Sequence, residues 1–163
     1  MRKPARAVVV VVTLIMICTF AYGADAPGPI TPIPEKFKNI QIIKPDSSIS
    51  KDMTDFSGEW EGVWKYVGGM QFGSHGEELR KAKLIIYEVS ASKVKFLYGI
   101  GTNPKSVGRG GWRDYSSDVT DSQGKKYISI SPPSGFAMNF HLEDGLLKGA
   151  QGGNWSIEMK RIK

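Results

Sequence analysis

From Phe56 onward the chain alternates. Phe56, Gly58, Trp60, Gly62, Trp64 and Tyr66 fall on one parity, and Glu59, Glu61 and Lys65 on the other. Successive side chains of a strand point to opposite faces, so this period predicts a half-buried β-strand. Gly68-Gly69 ends it. Ala82 to Val89 forms a second run, and Val94, Phe96, Tyr98 and Ile100 a third, with Lys93 and Lys95 opposite. Five more candidates follow: Gly111 to Asp118, Lys125 to Ser131, Phe136 to Leu142, Leu146 to Ala150 and Trp155 to Ile162. The separators carry turn chemistry. Asp144-Gly145, between apolar segments, is a strong hairpin signal. No window has a convincing helical period; the nearest approach is Gly76 to Lys83, with room for one turn.

Eight short strands joined by short turns predict an all-β, antiparallel fold. Such a set closes into an up-and-down barrel just wide enough for side chains or one small ligand. A two-sheet β-sandwich gives the same one-dimensional pattern. Closure removes the unpaired edges that make β proteins aggregate, which favours the barrel.

The other half of the organisation lies upstream. Arg2, Lys3 and Arg6 precede a sixteen-residue apolar run, Ala7 to Tyr22, and small residues at Ala21 and Gly23. This is the layout of a cleaved secretory signal peptide, residues 1–23, and the run is short of the ~20 residues that span a bilayer. The alternative is a retained anchor. Removing the first 23 of 163 residues leaves 140, one domain by size. It also removes three cations and lowers the net charge from +6 to +3. The remaining bases are scattered, which argues against nucleic acid as a partner. Cys18 is the single cysteine and lies in the signal, so the exported chain has no disulfide. Residues 24–54 form a proline-rich leader with Pro27, Pro29, Pro32, Pro34 and Pro45. Its Phe37, Ile40, Ile42 and Ile43 either dock it on the domain as a strap or ride on a flexible spacer. The barrel domain spans residues 55–163. These features place the protein in the periplasm or outside the cell, with no stable membrane insertion after cleavage.

Gly58-Glu59-Trp60 resembles the Gly-x-Trp that opens the barrel of the calycin superfamily, the lipocalins and avidins. In lipocalins a basic residue on the last strand packs over that tryptophan and closes the barrel floor. The resemblance implies that role for Arg161, which shares a parity with Trp155, Ile157 and Met159. A guanidinium over an indole is a favourable contact. Gly58, Trp60 and Arg161 are thus the expected structural residues. The sequence lacks the Thr-Asp-Tyr of lipocalins; Arg113-Asp114-Tyr115 is a partial echo.

The same pattern suggests where a ligand would sit. Trp64 lies one repeat beyond Trp60. With Phe96, Tyr98, Phe140 and Trp155 it either lines a cavity or fills the barrel. The glycine-rich stretch from Gly99 to Arg113 ends in an aromatic and basic cluster, Arg109, Trp112 and Arg113, suited to stacking on a ring and fixing an anion. It lacks the context of a phosphate loop. The expected ligand-binding set is therefore Trp64, Tyr98, Arg109, Trp112 and Arg113.

Catalytic signals are sparse. His75 and His141 are far apart, and a zinc site wants three or four ligands at short spacings, so neither a metal nor a cofactor is expected. There is no nucleophile elbow. An enzyme would require a convergent pair, for example His141 with Asp114. Asn154-Trp155-Ser156 is a glycosylation acceptor only in a eukaryotic secretory route. The leading expectation is a non-enzymatic barrel that binds a small apolar or aromatic ligand or a glycan. A protein-interaction module with a filled barrel is the first alternative, and a hydrolase-type enzyme on a barrel scaffold the second.

Overall fold

The alternating segments become the wall of a closed barrel. The computed structural model describes residues 27–66, 78–102, 110–132, 135 and 137–163. The expected signal peptide, His75 and Arg109 lie outside them. Eight strands follow in order: β1 (Gly58–Tyr66), β2 (Glu78–Val89), β3 (Lys93–Ile100), β4 (Gly111–Ser122), β5 (Lys125–Ile130), β6 (Met138–Glu143), β7 (Leu146–Gln151) and β8 (Trp155–Arg161). Each pairs antiparallel with the next, and β1 pairs with β8, from Trp60↔Arg161 to Tyr66↔Trp155. That last ladder excludes the sandwich.

The register puts one parity of each strand inside, except that a bulge in β2 between Ile86 and Glu88 shifts the parity and brings Val89 to the core as well. Trp60 and Trp64 of β1 face Leu84 and Ile86 of β2, Phe96 and Tyr98 of β3, Ile128 and Ile130 of β5, Phe140 of β6, Leu147 of β7, and Ile157 and Met159 of β8 in a single core. Tight turns link the strands at one end. Asp144 and Gly145 both have positive φ, 54° and 75°, as do Gln123 and Gly124. That is the geometry whose twist matches the flanking strands of a two-residue hairpin.

Two local features go beyond the alternating pattern. Residues 78–83, part of the window with room for one helical turn, form the start of β2: Tyr66↔Glu78 and Trp64↔Arg80 are ladder pairs, and pairing overrides the helix preference of Glu78-Leu79-Arg80. A one-turn helix, α1 (Lys51–Thr54), lies in the segment expected to be leader. It delivers Met53, 1% exposed, and then Phe56, fully buried, to the barrel end nearest Gly58. At that end, the floor, the Trp60 indole donates to the Phe56 carbonyl at 2.9 Å. The Arg161 guanidinium lies 4.6 Å from the Trp60 ring centre and donates to the Asp55 carbonyl. Gly58 fits because it has no side chain: its φ is +128°, and a Cβ would stand 2.6 Å from the Lys163 carbonyl oxygen.

The leader docks as a strap. Leu97 and Ile85 sit at outward positions of β3 and β2, yet they are 1% and 8% exposed. Ile33, Phe37, Ile40 and Ile42 lie against that wall. The Ile43 amide donates to the Tyr87 carbonyl at 2.7 Å. Among the described residues no helix is long and apolar enough to cross a membrane.

Candidate functional site

The expected ligand residues separate into two groups. Trp64 and Tyr98 are inside the barrel. The Trp64 indole donates to the Tyr98 hydroxyl at 2.7 Å, and the Trp64 and Tyr98 rings stand 5.9 and 6.4 Å from that of Phe140 at steep angles. Burial pushes the Tyr98 phenol well above its usual range, so it stays a neutral hydrogen-bonding group. The polar atoms of this pair serve each other, and both rings pack against Phe140 inside the barrel. Trp155 packs at the edge of the core, with the Arg80 guanidinium 5.7 Å from its ring.

Trp112 and Arg113 are elsewhere, on the first half of β4. The pairing Gly99↔Trp112 directs the indole outward, over a residue with no side chain. A Cβ on Gly99 would meet three indole carbons at 2.8–2.9 Å, so any other residue there would lift the ring off the wall. The indole nitrogen donates to the Thr31 carbonyl of the strap at 2.7 Å. Trp112 thus fastens the leader to the barrel, a bond between residues 81 positions apart.

Beside it lies a cleft of about 440 Å³ lined by Trp112, Arg113, Asp114 and Tyr115 of β4, Lys36 and Phe37 of the strap, and Ser131 after β5. Four consecutive strand residues alternate between faces, so one cleft can touch all four only at a strand edge. The ladder supplies that edge. β4 pairs with β5 only through Val119, Thr120, Asp121 and Ser122. Two residues upstream of Val119, the Ser129 amide donates to the Ser117 hydroxyl at 3.0 Å, and no ladder pair joins the two strands beyond it. The inward Tyr115 ring, stacked on Phe96 at 5.7 Å, is thereby reached from the side.

The cleft combines rings with charge. Phe37, Trp112 and Tyr115 supply the aromatic surface. Lys36 and Arg113 are its two cations; Lys36 lies 4.6 Å from the Phe37 ring centre. Asp114, its one acid, accepts the Tyr87 hydroxyl at 3.0 Å. Burial, reinforced by Asp114, pushes the Tyr87 phenol up to about 12, so this donor stays protonated at neutral pH. The balance favours an anionic group beside an aromatic or sugar ring.

The convergent pair required of an enzyme is not assembled by His141 and Asp114. His141 points outward from β6, 5.2 Å from the Tyr127 ring centre and 3.9 Å from Glu143. Burial, then the Lys125 charge, lowers its pKa. Among the described residues no three His, Cys, Asp or Glu side chains are grouped to hold a metal.

No family model matches the chain, and neither does any curated protein or solved structure.

Sequence reasoning reached Trp112 and Arg113 but missed Lys36, Phe37, Tyr115 and Ser131 as their neighbours. The usable signal was Trp112 with Tyr115. Aromatics three apart on a strand face opposite ways and serve one site only at an edge.

Proposed function

We propose that this chain is an exported, non-enzymatic β-barrel that binds a small ring-bearing ligand with an anionic end, an aromatic acid or an acidic sugar. It does so in the cleft between strap and β4. The observation that carries the reading is the lining of that cleft: three aromatic side chains with Arg113 and Lys36, around an acid already engaged by Tyr87. Clefts of 300–1,000 Å³ with apolar walls and a few placed polar groups are the usual form of a small-molecule site. The ring would stack on Trp112 or Tyr115, and Arg113 would hold the anion. The Arg161–Trp60 contact at the floor supports a calycin-like kinship.

Intrinsic fluorescence tests it, with benzoate and glucuronate as probes. Titration is expected to perturb Trp112 emission. Arg113→Ala is expected to weaken binding by roughly 1.5–3 kcal/mol, the worth of a hydrogen bond to a charged group. Trp64→Phe is expected to leave it unchanged. If neither probe binds, the first alternative gains: an interaction module, favoured by the mutual packing of Trp64, Tyr98 and Phe140 inside the barrel. If Trp64→Phe abolishes binding and Arg113→Ala does not, the site is inside the barrel instead.

A further inference from the structure

A side chain ends the pairing of β4 with β5. After Val119↔Ile128, the next pair in register would be Asp118 with Ser129. It does not form directly. The buried Ser117 hydroxyl accepts the Ser129 amide at 3.0 Å and donates to the Asp118 carbonyl at 2.9 Å, where a ladder bond would otherwise run. No ladder pair follows it.

The edge beyond this wedge can be read from the register. Backbone groups of an antiparallel strand point alternately to its two sides. The Val119 amide donates to the Ser92 carbonyl, on the β3 side, at 2.8 Å, and Thr120 pairs with Tyr127 of β5. Even-numbered residues of β4 therefore turn their N–H and C=O toward β5. For Trp112, Asp114 and Ser116 that side has no ladder partner, and among the described residues no turn or loop backbone supplies one. Asp114 and Ser116 are exposed. At ~3.3 Å per residue this edge is about 13 Å long. It borders the cleft of Trp112, Arg113 and Tyr115, and Ser131, just past β5, forms the opposite bank. The cleft thus occupies the place where β5 would have continued.

An unpaired strand edge is a template for another strand. We infer that this cleft receives the carboxyl-terminal end of an extended peptide whose last residue is aromatic, laid antiparallel along β4 where β5 stops. It rests on the ring-and-anion reading of the cleft, because a terminal aromatic residue carries both groups at once. The direction follows from the topology. A continuation of β5 would run from Ser116 toward Trp112. A peptide on that course ends beside Arg113, which is exposed and, among the described residues, in no ion pair. Its carboxylate meets that guanidinium, and its last ring meets Trp112 or Tyr115.

Calorimetry on the full chain compares benzoate with an acetylated pentapeptide of alternating valine and threonine that ends in phenylalanine with a free carboxylate. The peptide is expected to bind at least tenfold more tightly than benzoate, and its carboxamide at least tenfold more weakly than the free acid. Methylating alternate peptide nitrogens is expected to abolish the gain in one phase and preserve it in the other, since only one phase faces β4. The amides of Asp114 and Ser116 are expected to exchange more slowly with the peptide bound and not with benzoate. Arg113→Gln should weaken both ligands. Ser116→Pro, which deletes an edge donor that β3 does not use, should weaken the peptide alone, at unchanged circular dichroism. Benzoate binding with a peptide no tighter, or with both methylation phases equal and neither amide slowed, would overturn the inference and leave the small-ligand reading standing. A peptide that binds with the expected phase while benzoate does not would sustain the inference and withdraw the free acid as ligand. Binding of neither removes both.

Discussion

At the floor of the barrel, the backbone of Gly58 takes a φ of +128° with the Lys163 carbonyl oxygen 2.6 Å from where a Cβ would be. Alanine meets both objections at once. Gly58→Ala is expected to destabilise by about 1–3 kcal/mol from backbone strain alone, read as a lower urea midpoint at unchanged slope. An unchanged midpoint would mean that the backbone at position 58 leaves the positive-φ region at no cost and that the chain after Arg161 moves aside. Within this floor, Gly58 and Trp60 follow the spacing of the first strand, whereas the role of Arg161 was implied by the Gly-x-Trp resemblance and not by any spacing. Trp64 obeys the same spacing, and parity correctly turned it inward. Parity says nothing of depth, however, and the Tyr98 hydroxyl that meets its indole lies 34 positions away. Trp112 was harder. Its aromatic and basic neighbourhood suggested ligand contact, while its indole hydrogen bond goes to Thr31, a partner no local pattern announces.

Among the elements, the strands were the most readable and the connections the least. A strand with one wet face writes its period into the sequence, whereas α1 is a single turn and too short to have a period. The first residues of β2 read as helix formers because their strand character comes from the ladder to β1. The wet face also has an electrostatic organisation that alternation cannot show. On the outer side of β5, β6 and β7, Glu143 accepts from Lys125 at 2.6 Å and from Lys148 at 2.7 Å. The two hydrogen bonds, then the two charges, hold its pKa down at about 2. A carboxyl whose folded pKa lies below its unfolded value stabilises the fold above the unfolded pKa, near 4.5, and loses that contribution as pH falls toward 2. Wild type should therefore melt above Glu143→Gln at pH 6, by a modest margin because the group is exposed. The two melting curves should converge between pH 4.5 and pH 2. A gap that stays constant to pH 2 would show that the carboxylate is not what distinguishes them.

At the scale of the molecule, the barrel closes without the strap. The β1–β8 ladder runs from Trp60 to Tyr66 and takes nothing from residues 27–50. The strap nonetheless completes the domain, because it covers two aliphatic side chains that a solvated wall would not place there. Leu97 and Ile85 should each lose about 1.5–3 kcal/mol of burial when uncovered. A chain lacking residues 1–44 keeps α1, Met53 and Phe56, and hence the sealed floor. It is expected to retain the far-ultraviolet spectrum of a β-barrel. Its urea midpoint should fall by the equivalent of roughly 3–6 kcal/mol for the two side chains together, as an upper range, since the denatured chain already hides part of this surface. Its Trp112 emission should shift to the red, as the indole loses Thr31 and gains water. The cleft at β4 borrows one wall, Lys36 and Phe37, from the strap, so benzoate binding should be lost with it. Loss of the ligand with little change in stability would mean that the strap is held weakly and serves recognition alone. Retention would place the binding surface on the bare barrel.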